Sequence, residues 1–165
     1  MIKILFVCHG NICRSPMAEF MMKDLVRKER IADRFRIESA ATTSEEIWGG
    51  RGNPVYPPAK RELASHGIGT PDNELGVSEK RARKMTPGDY RNFDLIIGMD
   101  SENLYDMRDI AGGDPDGKIH LLLEFTDHPR SVADPWYTGD FAATWNDLSD
   151  GVPALLAYCR KTYSI

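Results

Sequence analysis

Apolar and polar positions follow two rhythms along this chain. Residues 2–7, Ile-Lys-Ile-Leu-Phe-Val, are nearly all apolar and rich in β-branched side chains, the pattern of a parallel strand buried on both faces. From Met17 to Val26 the pattern turns helical, with Ser15 expected as N-cap and Pro16 at the first helical position. Residues 33–40 alternate apolar and polar and predict a second strand. Strand, helix and strand in this order make a βαβ unit, hence a parallel sheet with a right-handed crossover. Residues 58–65 predict a helix ending at Gly67, whose missing Cβ suits a left-handed C-cap. Residues 86–90 read as a capped short helix, 93–99 as a third buried strand, 101–110 as a helix and 118–123 as a fourth strand. Phe141, Trp145, Leu148, Val152, Leu155, Leu156 and Cys159 recur at helical spacing and predict a closing helix, which Pro153 should kink or interrupt. The stretches 42–58 and 124–137 read as long loops, and long loops are often functional. The expectation is an α/β fold: one domain over residues 1–165, a four-stranded parallel sheet with helices on both faces, and a phosphate-binding loop after the first strand.

That loop is Cys8-His9-Gly10-Asn11-Ile12-Cys13-Arg14-Ser15. Ligands of parallel sheets bind at the carboxyl ends of the strands. The amides of such a loop converge with a helix N-terminus on one point, where they favour an anion. Arg14 brings a planar fork that matches phosphate oxygens bidentately. The same field favours a thiolate at Cys8, and a thiolate in an anion cradle is a nucleophile aimed at phosphorus. Gly10 permits close backbone approach, and Asn11 favours a left-handed turn. His9, Gly10, Asn11, Ile12 and Cys13 are therefore candidate substrate-binding residues, with Ser15 placed to donate to the Cys8 sulfur.

The run from Val7 to Pro16 resembles the signature of the low-molecular-weight protein tyrosine phosphatases, and Asp134-Pro135-Trp136-Tyr137 is similar to that family's late Asp-Pro motif. The resemblance runs nearly the whole chain. It implies a phosphocysteine on Cys8, equatorial oxygens held by Arg14 and the loop amides, and Asp134 as acid and then base. An isolated Asp-Pro commonly starts a turn; beside the Cys8 loop it acquires a catalytic reading. Trp136 and Tyr137 would flank the ring of an aryl phosphate. The resemblance further implies that Ser39 holds the loop by a hydrogen bond, that His66 bonds Asn11, and that Asp100, an N-cap candidate, braces the site. Where the family often carries an aromatic residue against the substrate ring, this chain has Glu45; Trp48, within an apparent insertion at 48–51, either replaces that wall or covers core. Paired loop cysteines in the family protect the nucleophile from oxidation by a disulfide, here Cys8 with Cys13.

Length and composition suit a globular protein of 165 residues, and a formal charge of -4 gives no nucleic-acid footprint. The basic run at residues 80–84 reads as a solvated face or helix end. No apolar stretch approaches membrane-spanning length, and the three cysteines form no disulfide framework, which predicts a cytoplasmic setting. No cofactor or metal is expected. The expected partners are phosphotyrosine-containing proteins or peptides, with inorganic phosphate as product, and neither nucleic acid nor membrane. Arsenate reduction on the same fold needs further relay cysteines. A protein-arginine phosphatase typically has threonine where Ile12 stands, and a phosphopeptide-binding module needs no nucleophile.

Overall fold

A computed structural model describes residues 1–165. Four parallel strands form the sheet, β1 (Ile2–Cys8), β2 (Phe35–Ala41), β5 (Leu95–Gly98) and β6 (Ile119–Leu121), in the order β2-β1-β5-β6. β1 lies between β2 and β5, so side chains on both of its faces must find a core. Ile4 and Phe6 pack with Met17 and Phe20 of α1 (Arg14–Lys28) and Leu148 and Leu155 of α6 (Phe141–Tyr163). Leu5 and Val7 pack on the opposite face with Tyr90 of α3 (Pro87–Asn92) and Met107 of α4 (Ser101–Ala111). The remaining elements are a two-stranded hairpin, β3 (Ile47–Trp48) with β4 (Arg51–Gly52), the helix α2 (Pro57–Ser65) and the short helix α5 (Pro135–Thr138).

Connections from β1 leave toward β2 on one side, while β5 lies on the other. The strand order thus reverses at β1, and in open parallel sheets the crevice at such a reversal is where ligands bind. Cys8 pairs with Ala41 at this edge, and Val7 with Gly98.

Several boundaries differ from the pattern-based expectation. The helix after β1 begins at Arg14, with Cys13 as N-cap and no side-chain cap, so Ser15 lies inside the first turn. Residues 32–34 form a 3-10 turn ahead of β2. Pro153 does not interrupt α6, which runs unbroken through it; Ser149 bonds back to the Trp145 carbonyl at 2.8 Å in the turn before. The stretch 42–58 holds a hairpin, turned by Gly49 and Gly50 at φ +59° and +77°, the conformation of a type I′ turn. Residues 80–84 are not a solvated face. Ala82 N–H donates to Asn53 O (2.9 Å), while Ala41 N–H donates to Arg83 O (2.7 Å) and Met85 N–H to Ala41 O (2.8 Å). They form a strap laid between the hairpin and the end of β2. Gly52 touches this strap so closely that a Cβ there would lie 1.9 Å from Ala82 O.

Gly151 lets α6 approach the 3-10 turn Leu122–Phe125, since a Cβ would stand 2.6 Å from Leu122 Cγ. Gly151→Val should therefore overpack this contact and destabilise the fold by roughly 1–3 kcal/mol. The expected readout is a lower urea midpoint at unchanged m-value.

Candidate active site

The loop from Cys8 to Arg14 curls over the end of β1. Asn11 takes φ +61°, a left-handed conformation that asparagine tolerates better than most residues. That curl aims two backbone amides at the Cys8 sulfur: Asn11 N–H and Ser15 N–H each stand 3.4 Å from Sγ, and Ser15 Oγ is 3.1 Å from it. The sulfur thus sits among donors at the start of α1, where the dipole also favours negative charge.

Beneath the loop runs a buried polar chain. Asn11 Nδ2 donates to Ser15 Oγ (2.8 Å) and Ser39 Oγ (2.9 Å), and Arg83 N–H donates to Asn11 Oδ1 (3.1 Å). Ser39 Oγ donates in turn to Glu19 (2.6 Å). Lys80, from the strap, donates to Ser39 O (2.8 Å) and lies 3.6 Å from Glu19. Burial pulls the Lys80 ammonium below its ordinary pKa, with Glu19 acting in the opposite sense. Ser39 accordingly holds the loop by a hydrogen bond through Asn11. His66 does not: at the C-cap of α2, which packs against α6, it stacks on Trp145 (3.7 Å) and pairs with Glu62 (2.8 Å).

Arg14 is 3% exposed and reaches across to two carboxylates. Nη1 donates to Asp100 (2.8 Å) and to Val132 O (3.3 Å), and Nη2 to Asp134 (3.3 Å). Burial would lower its pKa, but the Cys8 sulfur, the Asp100 hydrogen bond and Asp134 outweigh it, so the guanidinium is held above its ordinary value. Asp100 is also the N-cap of α4, accepting from Asn103 N–H at 2.7 Å. Asp134 caps α5 through Trp136 N–H (3.1 Å). The segment before it is fastened by Val132 N–H to Met99 O (2.8 Å), Ala133 N–H to Asp147 (2.9 Å) and Thr144 Oγ1 to Ala133 O (2.8 Å).

These parts enclose a cavity of about 350 Å³ lined by Cys8, His9, Gly10, Ile12, Cys13, Arg14, Asp100, Asp134, Trp136 and Tyr137. Asn11 serves it through its backbone N–H, its side chain being turned below the loop, and Ser15 through its N–H and its hydroxyl on the Cys8 sulfur. Trp48 takes neither expected role. It is 68% exposed on the hairpin, outside the cavity and off the core, with its indole N–H on Glu45 O (2.9 Å). The wall there is built instead from Glu45, which pairs with His9 (2.9 Å), and Glu46. Glu102 and Asn103 complete the lining from α4. Cys13 shares the loop with Cys8; burial, then the charges of Cys8 and Asp134, push its thiol far above the ordinary range. Cys159 is fully buried in α6, and burial pushes its pKa up to about 12. No cluster of three or more His, Cys, Asp or Glu side chains is arranged to hold a metal ion, and no helix is long and apolar enough to cross a membrane.

Of the supports under the loop, Glu19, Lys80 and Arg83 escaped the pattern-based reading. Glu19 had a signal, a charge within the otherwise apolar run Met17 to Met22. Lys80 and Arg83 had none, because their contacts span long sequence separations. Removing the Asn11 side chain should break three hydrogen bonds at once and leave the Arg83 N–H without its acceptor. Asn11→Ala should cost roughly 1–3 kcal/mol for the lost bonds. Asn11→Gly, free of the left-handed penalty, should recover about 1–2 kcal/mol relative to alanine, measured by urea unfolding.

The family model for low molecular weight phosphotyrosine protein phosphatases matches residues 3–164. A low molecular weight protein-tyrosine-phosphatase of Bacillus subtilis, YfkJ, is 36% identical over 163 residues, covering 98% of this chain and 97% of its own. A mouse low molecular weight phosphotyrosine protein phosphatase is 35% identical over 165 residues, covering 97% and 95%. The crystal structure of YfkJ superposes with a TM-score of 0.88 at 35% identity, over 98% of this chain and 96% of that one. A Drosophila arginine phosphatase superposes with a TM-score of 0.80 at 26% identity, over 95% and 97%.

Proposed function

The chain belongs to the low molecular weight phosphotyrosine protein phosphatase family, and we propose that it hydrolyses phosphotyrosine through a phosphocysteine on Cys8 with Asp134 as general acid and base. The observation that carries this reading is the Cys8 sulfur, held by two loop amides and the Ser15 hydroxyl beside the Arg14–Asp134 pair. Arg14 spends three of its five N–H donors on Asp100, Val132 and Asp134. Nε–H and the second Nη2 hydrogen remain as a fork for two phosphate oxygens.

Cys8 attacks phosphorus in line, the P–O bond to the phenol breaks, and Asp134 gives its proton to the departing oxygen. The stationary donors of the loop and Arg14 stabilise the charge on the equatorial oxygens. Water then attacks the phosphocysteine, Asp134 takes its proton, and inorganic phosphate leaves with the Cys8 thiolate restored. Ser15 Oγ, at 3.1 Å, eases the sulfur's departure. Ile12, Trp136 and Tyr137 in the lining suit a phenyl ring, which favours phosphotyrosine over phosphoarginine. Arsenate reduction would leave Asp134 idle, and Cys159 lies fully buried in the core.

Cys8→Ser and Arg14→Ala should each abolish turnover of para-nitrophenyl phosphate, with Arg14→Lys nearly as damaging because a point charge makes no fork. Asp134→Asn should slow aryl phosphates with poor leaving groups by about 10²–10⁴-fold, and much less when the leaving group needs no proton. Equal losses across leaving groups would make Asp134 a turn residue instead.

The same loop supports a redox reading. Peroxide converts the Cys8 thiolate to a sulfenic acid, and the Cys13 thiol condenses with it to a disulfide and water. Dithiothreitol should restore activity lost to peroxide in the parent protein. Cys13→Ser should recover poorly, with sulfinic acid on Cys8 by mass spectrometry; full recovery of that variant would reject the protective role.

A further inference from the structure

A second and larger cavity, of about 870 Å³, opens next to the first, between α2 and the turn joining α5 to α6. Trp136 lines both. Its indole lies against Tyr56 with ring centroids 5.2 Å apart, and Tyr56 continues to Phe141 at 6.2 Å, so one wall is a run of three aromatic rings. Arg61 of α2 lines the same groove, exposed and engaged in no ion pair. Its neighbour Glu62 is already held by His66 at 2.8 Å. Charge is distributed the other way around the catalytic cavity. There Glu45, Glu46 and Glu102 line the wall; Glu45 is hydrogen-bonded to His9, and Glu46 and Glu102 pair with no lysine or arginine.

We propose that this groove receives the residues flanking phosphotyrosine in a peptide substrate, with an acidic side chain at Arg61 and an apolar one on the Tyr56–Trp136 rings. The inference rests on the phosphatase reading of the adjoining cavity and extends it to substrate choice. A peptide whose phosphotyrosine enters the catalytic cavity passes over Trp136 on one side, and an extended chain advances about 3.3 Å per residue. Its next few residues therefore lie over the groove. A carboxylate flanking on the other side meets Glu46 and Glu102 and is repelled. In the groove it meets the one unpaired cation, beside aromatic faces that exclude water from part of the contact. Arg61 makes no hydrogen bond to Cys8, Arg14 or Asp134, so its effect belongs to peptide binding and should appear in KM.

The test is steady-state kinetics on phosphotyrosyl peptides carrying glutamate or lysine, in turn, at each of three positions on either side of the phosphotyrosine. On one flank glutamate should exceed lysine in kcat/KM by roughly two- to fivefold, the worth of an exposed ion pair. The gain should lie in KM and fade at high salt. Arg61→Glu should reverse the order on that flank, and Arg61→Lys, which keeps the charge, should preserve it. Equal kcat/KM for glutamate and lysine peptides at every position, or a glutamate preference that survives Arg61→Glu, would overturn the groove assignment. Para-nitrophenyl phosphate, which has no flank, separates the two claims. Its turnover by the parent protein without any flank preference overturns the groove alone, whereas no turnover of any aryl phosphate overturns the phosphatase reading and the groove with it.

Discussion

A guanidinium that is almost wholly removed from water has to be compensated, and Arg14 shows how much architecture that demands. Its three partners come from two separate places: Asp100 after β5, and Val132 and Asp134 in the loop leading to α5. None of these can move far without leaving a buried charge uncompensated, a loss of about 3–5 kcal/mol when one member of such a pair is removed. The cation therefore gathers the nucleophile loop, the end of β5 and the Asp134 segment around one point. The same two carboxylates cap α4 and α5, so helix starts and the ion pairs are fixed together.

The loop that carries Arg14 is supported from below by a continuous set of hydrogen bonds from Asn11 through Ser39 to Glu19 and Lys80. Every member is satisfied, the condition under which a buried polar network rigidifies a site. It joins the loop to α1, β2 and the strap at 80–84, through Glu19, Ser39, Lys80 and Arg83, none of which lines the cavity. Preorganised donors around Cys8 are a property of that whole assembly.

The β1–loop–α1 unit was legible because its signals are local: an apolar run, a turn-forming Asn11, a Cys and Arg at fixed spacing, and a helical stretch opened by Pro16. The sheet order could be anticipated in kind, since βαβ units force parallel strands. Reading failed where a residue's environment is set by distant chain. Residues 80–84 look like a solvated run, yet Lys80 is drawn inward by Glu19, a partner contributed by α1. His66 precedes a Gly-Ile pair at a helix end, and it meets Trp145 because α2 packs against α6, which lies far along the chain. Trp48 is a large apolar residue with a plausible vacancy to fill, but a two-glycine turn holds it outward in solvent.

That hairpin separates two properties that a loop usually confounds. Its base is immobilised: Glu45 and Glu46 form a wall of the cavity, and Gly52 lies against the strap that braces the Cys8 loop. Its tip, Gly49-Gly50, has open space where a Cβ would go on either residue. Segments inserted at exposed tips of this kind are tolerated well. The tip is thus a graft point, where a targeting peptide, a reporter or an entire recognition domain could be spliced in and delivered beside the mouth of the site while the wall residues keep their places.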